Sequence, residues 1–117
     1  MSSFIEGNVK AYTAIAAVTP YVLVKKSGSG VVVLDTEATD VAIGVTLANA
    51  AAGGQVPVRL LNAGGTTLIR AGATIVQNAP VRQLNTGVID DAGTNPVVGY
   101  AEEAATAVGD IIEVRLV

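Results

Sequence analysis

The side chains able to do covalent chemistry are few in this sequence. Its 117 residues include no Cys and no His. That removes disulfides, thiolate catalysis, cysteine zinc sites, the commonest general base and the commonest transition-metal ligand. Ser and Thr are present, but they have no His partner and no nucleophile-elbow pattern around them. The densest acidic stretch is Asp35-Thr36-Glu37-Ala38-Thr39-Asp40, with three carboxylates in six residues. Asp90-Asp91 with Asn95 falls at the matching place in the second half of the chain. A calcium loop needs several oxygen ligands converging on one point, and the EF-hand spacing is absent. These acids are therefore read as solvated turn residues. A glycosidase built on two carboxylates would want a cleft lined with aromatic rings, and the only aromatics are Phe4, Tyr12, Tyr21 and Tyr100. Gly28-Ser29-Gly30 lacks the rest of a phosphate-loop fingerprint and the helix that should follow it, so it reads as a hairpin turn. The expectation is a protein that is not an enzyme and has no cofactor and no catalytic or metal site.

Charge points away from nucleic acid. The net charge is −3, from 7 basic and 10 acidic residues, and Lys25-Lys26 is the only basic pair. No stripe of cations follows a phosphate backbone. Lys25 and Lys26 either pair with acidic side chains of a partner or keep a strand edge from aggregating. Arg59 and Arg115 each alternate with apolar residues, which predicts that they face outward from their strands. There they could form ion pairs between subunits with Glu102, Glu103 or Glu113. Exposed pairs are worth less than ~1 kcal/mol, so their value would be register rather than strength. The first residues show no signal-peptide pattern. Apolar runs reach about five residues, against the ~20 needed to span a bilayer, so no membrane association is expected.

The elements that must position these residues are short and of β type. Half the chain is apolar, and the core must come from Val, Ile, Leu and Ala. Runs of three to seven residues recur at 9–15, 21–25, 31–34, 41–47, 56–61, 66–71, 74–77, 81–84, 87–89, 96–101 and 111–117. Gly, Asn, Asp, Ser or Pro separates most of them, which predicts a small barrel or sandwich. Residues 47–52 and 102–107 are Ala-rich and could each form one helical turn. Gly53-Gly54, Gly64-Gly65 and Gly109 mark strand reversals. Gly44 and Gly99 sit inside strand patterns, where a bulge or a close backbone contact is the usual reason. Pro57 and Pro96 predict strands that lie at an edge or begin there.

The two halves resemble each other. Val33-Leu34-Asp35 precedes Gly44 at the spacing by which Val88-Ile89-Asp90 precedes Gly99. Val45-Thr46-Leu47 then answers Tyr100-Ala101-Glu102, and Val56-Pro57-Val58-Arg59-Leu60-Leu61 answers Ile112-Glu113-Val114-Arg115-Leu116-Val117. The pattern reads as two copies of one strand–turn unit; the alternative is chance likeness between Ala/Val-rich segments. Residues 1–8 stand apart. They read either as a frayed terminus or as an arm that grips a partner through Phe4 and Ile5.

Taken together, Gly44-Val45-Thr46-Leu47-Ala48, Ala51-Ala52-Gly53-Gly54-Gln55-Val56-Pro57-Val58, Val98-Gly99-Tyr100-Ala101-Glu102-Glu103-Ala104-Ala105 and Val108-Gly109-Asp110-Ile111-Ile112-Glu113-Val114-Arg115-Leu116 resemble the phage capsid cement, or head decoration, family. The second Glu falls one place early relative to the family's tail. The resemblance implies an all-β head protein without enzymatic activity, a small barrel or β-tulip-like domain with two pseudo-repeated halves over residues 9–117 and an extended arm over 1–8. It implies a homotrimer made in the host cytoplasm and added to the outer surface of the expanded virion head. There it would bind the major capsid protein and stabilise contacts between its subunits. Phe4, Ile5, Val9, Tyr12, Lys25 and Lys26 are the expected partner-binding residues. Arg59, Arg115, Glu102 and Glu103 are the expected intersubunit ones. The alternatives are a carbohydrate- or receptor-binding β module on the virion surface and another structural part, such as a tail component.

Overall fold

A computed structural model describes residues 9–117; the expected arm, with Phe4 and Ile5, lies outside the described residues. Among the described residues, ten strands form two antiparallel sheets of five. The first half contains β1 (Val9–Thr13), β2 (Leu23–Ser27), β3 (Gly30–Val33), β4 (Gly44–Thr46) and β5 (Gln55–Leu60). The second contains β6 (Thr66–Arg70), β7 (Pro80–Gln83), β8 (Ile89–Asp90), β9 (Val97–Ala101) and β10 (Ile111–Leu116). Strand order is β1-β5-β4-β2-β3 in the first sheet and β6-β10-β9-β7-β8 in the second. Substituting each strand by its counterpart five places later turns one order into the other, so the halves are copies.

Each sheet also closes on itself. The end of β1 returns to β3 through a parallel bridge of Ala14 with Val31, where the Ile15 N–H donates to the Val31 carbonyl at 2.9 Å. The end of β6 returns to β8 through Ala71 and Ile89, where the Gly72 N–H donates to the Ile89 carbonyl at 2.8 Å. The result is two five-stranded barrels in a body of 42 × 26 × 24 Å. Their irregular segments repeat as well. Val18 bridges Ala50 as Ile75 bridges Ala105. Tyr21 and Asn78 both adopt positive φ, and their N–H groups donate to the carbonyls of Thr46 and Ala101.

The first barrel is filled by Ala14, Val18, Val24, Val31, Val56 and Val58. The second is filled by the corresponding residues, among them Ala71, Ile75, Val81, Ile89, Ile112 and Val114. Leu23, Leu34 and Val45 of the first half join that second cluster. By strand pairing Leu23 stands opposite Val45, and Val45 opposite Arg59; this face is the outside of the first barrel. The halves are therefore cemented by the back of barrel one packing into the side of barrel two.

Gly44 and Gly99 occupy matching places for one physical reason. A Cβ on Gly44 would lie 2.5 Å from the Arg59 carbonyl oxygen, and one on Gly99 would lie 2.2 Å from that of Arg115. The close backbone contact expected from sequence is what both positions require.

Four expectations need correction. Residues 47–52 and 102–107 form turns with isolated bridges instead of helical turns; the short 3-10 segments are Leu61–Ala63 and Asn85–Gly87. Residues 74–77 contribute only the Ile75 bridge. Pro57 lies inside β5, which has neighbours on both sides. Its missing donor is tolerated because β4 has ended at Thr46, leaving the Pro57 carbonyl to accept from Leu47. Finally, the repeat register slips after the second strand of each half. Lys26 pairs with Val31 as Gln83 pairs with Ile89, so Ile89 answers Val31, not Leu34, and Asp90-Asp91 does not answer the acidic stretch.

Candidate functional site

The sites able to recognise a partner lie on the outside of this double barrel. β1 is paired through its whole length with β5, Tyr12 opposite Val56 and Lys10 opposite Val58. Residues directly opposite share a face, so Lys10 and Tyr12 sit on the inner face of barrel one, at its open side. Lys26 on β2 reaches the same place. The Lys10 and Lys26 ammonium nitrogens lie 5.1 and 5.2 Å from the centre of the Tyr12 ring. Each such contact is worth about 0.5–1 kcal/mol at an exposed site. Beside them a cavity of about 470 Å³ is lined by Tyr12, Ala42, Ile43, Leu60, Leu61, Asn62 and Val117. A second, of about 270 Å³, shares Ala42, Leu61 and Val117 and adds Val41, Val97 and Gln83 among others. Val41 and Val117 are each about three-quarters exposed. The arrangement is an apolar mouth with two cations on its rim. It can hold an apolar side chain and attract acidic neighbours.

The structure thus brings Tyr12 and Lys26 together and adds Lys10, which sequence reasoning missed. The signal was available: Lys10 and Tyr12 are two apart in a strand, and period two puts them on one face. Val9 is exposed but faces the other way, opposite Arg59.

Lys25 is engaged within its own chain. Its ammonium pairs with Asp35 Oδ1 at 2.6 Å and Asp40 Oδ2 at 3.0 Å. The Asp35 contact, followed by that of Asp40, raises the Lys25 pKa above its ordinary value. Asp40 also accepts from the N–H groups of Thr36 at 2.7 Å and Asp35 at 3.1 Å. The Thr36 hydrogen bond first, and Lys25 after it, outweigh desolvation and hold the Asp40 pKa at about 2. The acidic stretch is a folded loop that straps the halves together. Gln83 Nε2 donates to the carbonyls of Glu37 and Asp40, Asn95 Nδ2 donates to Glu37 Oε2, and the Glu37 N–H donates to Asn85 Oδ1.

Arg59 and Arg115 occupy matching repeat positions yet do different work. Arg59 is 7% exposed. Its guanidinium donates to the carbonyls of Leu60 at 2.6 Å, Thr66 at 3.2 Å and Gly64. It lies on the outer face of the first barrel, as its strand pattern predicts, but the second half covers it; it ties the link between the barrels. Arg115 faces solvent, and its guanidinium pairs with Glu102 Oε1 at 2.8 Å in the same chain and lies 5.8 Å from the Tyr100 ring centre. Glu103 is exposed. The expected intersubunit set is thus split among an internal tie, an intrachain pair and one exposed acid.

No family model matches the chain, and no curated protein matches it. Among solved structures it is similar to the N-terminal base of head fiber gp8.5 of bacteriophage phi29, with a TM-score of 0.72 at 16% identity over 93% of this chain and 92% of that one. At that identity the likeness establishes a shared fold.

Proposed function

We propose that this chain is a structural component of a phage head, a decoration protein that binds the outside of the expanded shell and stabilises contacts between major capsid protein subunits. The observation that carries this reading is the fold: nearly the whole double barrel is shared with a head fiber base, across nearly the whole of that base. The surface chemistry is compatible with adhesion. Val41, Val76, Val108 and Val117 are strongly exposed and scattered around the body. Weak contacts suffice when many copies act on one lattice, because linkage multiplies effective concentration. Residues 1–8, with Phe4 and Ile5, would add an anchor.

Purified protein mixed with expanded heads that lack it should bind saturably, bind unexpanded heads more weakly, and raise the temperature at which the expanded heads break open. Absence of binding to either head form overturns the proposal. Deleting residues 1–8 should weaken attachment while leaving the thermal unfolding of the free protein unchanged; undiminished affinity removes the anchor.

A further inference from the structure

The internal joint between the barrels has a free copy of each of its two surfaces. In the first half the joint uses the back of the barrel: Leu23 and Val45 are fully buried, Arg59 nearly so, and Tyr21 packs against the shared core. The Tyr21 carbonyl, turned by a φ of 64°, accepts from the Arg70 N–H at 2.8 Å. The repeat assigns the corresponding positions in the second half to Pro80, Tyr100, Arg115 and Asn78. Tyr100 is 37% exposed, the Arg115 and Asn78 positions face solvent, and Pro80 is half-buried. Asn78 keeps the unusual positive φ, at 69°. Among the described residues no hydrogen bond ends on its carbonyl.

The receiving surface shows the same contrast. In barrel two the rim residues Thr67, Ile69 and Gln83 are buried under the first half, at 8%, 0% and 3% exposure. Their counterparts in barrel one are Lys10, Tyr12 and Lys26. Two of these are half-buried and one is exposed. Ile69, Val98 and Leu116 belong to the core that receives Leu23 and Val45. Their counterparts Tyr12, Ile43 and Leu60 line the cavity of about 470 Å³.

We propose that this open mouth of barrel one is the docking site for the back of barrel two of another copy of the chain, joined head to tail as the two barrels are joined within one chain. The incoming Tyr100 and Pro80 take the places of Val45 and Leu23. The Asn78 carbonyl accepts from the Thr13 N–H, as Tyr21 accepts from Arg70. Lys10 and Lys26 rim the mouth, and the incoming face brings Glu113 together with the Glu102–Arg115 ion pair. Such a joint is heterologous, so it closes into a ring when the rotation per copy allows and otherwise continues as a chain. It needs no head, so its test is independent of head binding.

The test uses the full chain and two charge variants, Lys26→Glu in the mouth and Tyr100→Glu on the back. Sedimentation is followed from ~1 μM to ~1 mM, the range of weak protein contacts. Wild type should form species larger than a dimer, and each variant alone should associate at least ~10-fold more weakly. Mixing the two should restore association but stop it at a 1:1 dimer, because one partner offers only a mouth and the other only a back. Circular dichroism confirms that each variant is folded. Three outcomes overturn the proposal: wild type that stays monomeric throughout, variants that associate as wild type does, or a mixture that stays monomeric. A chain lacking residues 1–8 covers the remaining occupant. Association that appears only after that deletion would show that the chain's own N-terminal segment fills the mouth, and would also overturn the proposal.

Discussion

Replacing Arg59 by Ala should cost far more than replacing Arg115 by Ala, although the two occupy one repeat position and one sequence context. Arg59 gives hydrogen bonds to three carbonyls around the link between the barrels. A hydrogen bond from a charged group contributes about 1.5–3 kcal/mol when considered singly. Here three share one cation and the site is only partly closed to water, so the combined loss is set at about 3 kcal/mol. For a chain of this size each kcal/mol moves Tm by about 4 °C, which gives a fall of about 12 °C. Arg115 pairs with a single carboxylate at the surface, and its guanidinium side chain is 55% exposed, so its removal should cost less than ~1 kcal/mol and at most about 4 °C. Arg59→Lys separates geometry from charge: one ammonium cannot span three carbonyls, so it should recover less than half of the loss. Thermal unfolding followed by circular dichroism, with urea titration as a second measure, reads all three. Equal losses for Arg59→Ala and Arg115→Ala would refute the assignment of Arg59 to the joint.

Other outcomes follow from local geometry and charge. Gly99→Ala and Gly44→Ala each press a methyl group into a facing backbone carbonyl and should cost about 3 kcal/mol. By contrast Gly53→Ala, with φ of 84° but open space around it, should cost about 1 kcal/mol; matched urea midpoints for all three would contradict the packing. The Asp40 pKa is depressed in the folded chain, so the strap's contribution is complete above the unfolded carboxylate value of about 3.9. It is lost as pH falls toward about 2. Asp40→Asn should therefore flatten the decline in Tm between these two values, and an unchanged decline would show that the strap does not depend on this charge.

Much of the fold was legible because β patterning is local. Ten of the eleven apolar runs became strands, with the run at 74–77 reduced to one bridge. Gly44 and Gly99 announced themselves as glycines where a side chain would be expected. What local pattern cannot carry is which outer face another part of the chain covers. Arg59 and Arg115 have the same alternating neighbours, and only the packing of one barrel on the next decides that the first is buried. The same limit hid the roles of Gln83, Asn85 and Asn95, whose partners lie between ten and sixty residues away in the acidic loop and neighbouring strand. The sequence set Leu34 against Ile89 because it carried the Gly44/Gly99 spacing backwards, whereas the connection into the fourth strand is three residues longer in the first half: Val31 stands 13 residues before Gly44 and Ile89 stands 10 before Gly99. Within the mouth, Tyr12 and Lys26 were legible as partner-seeking residue types, whereas Lys25 was not separable from Lys26 until strand direction placed it toward Asp35 and Asp40.

The most direct measurement of what this protein does is its location on a mature particle. Imaging of virions with and without the chain should show a two-lobed density on the outer face of the expanded head, present only when the chain is supplied. Density inside the shell or on the tail, or particles that are identical with and without it, would contradict the account.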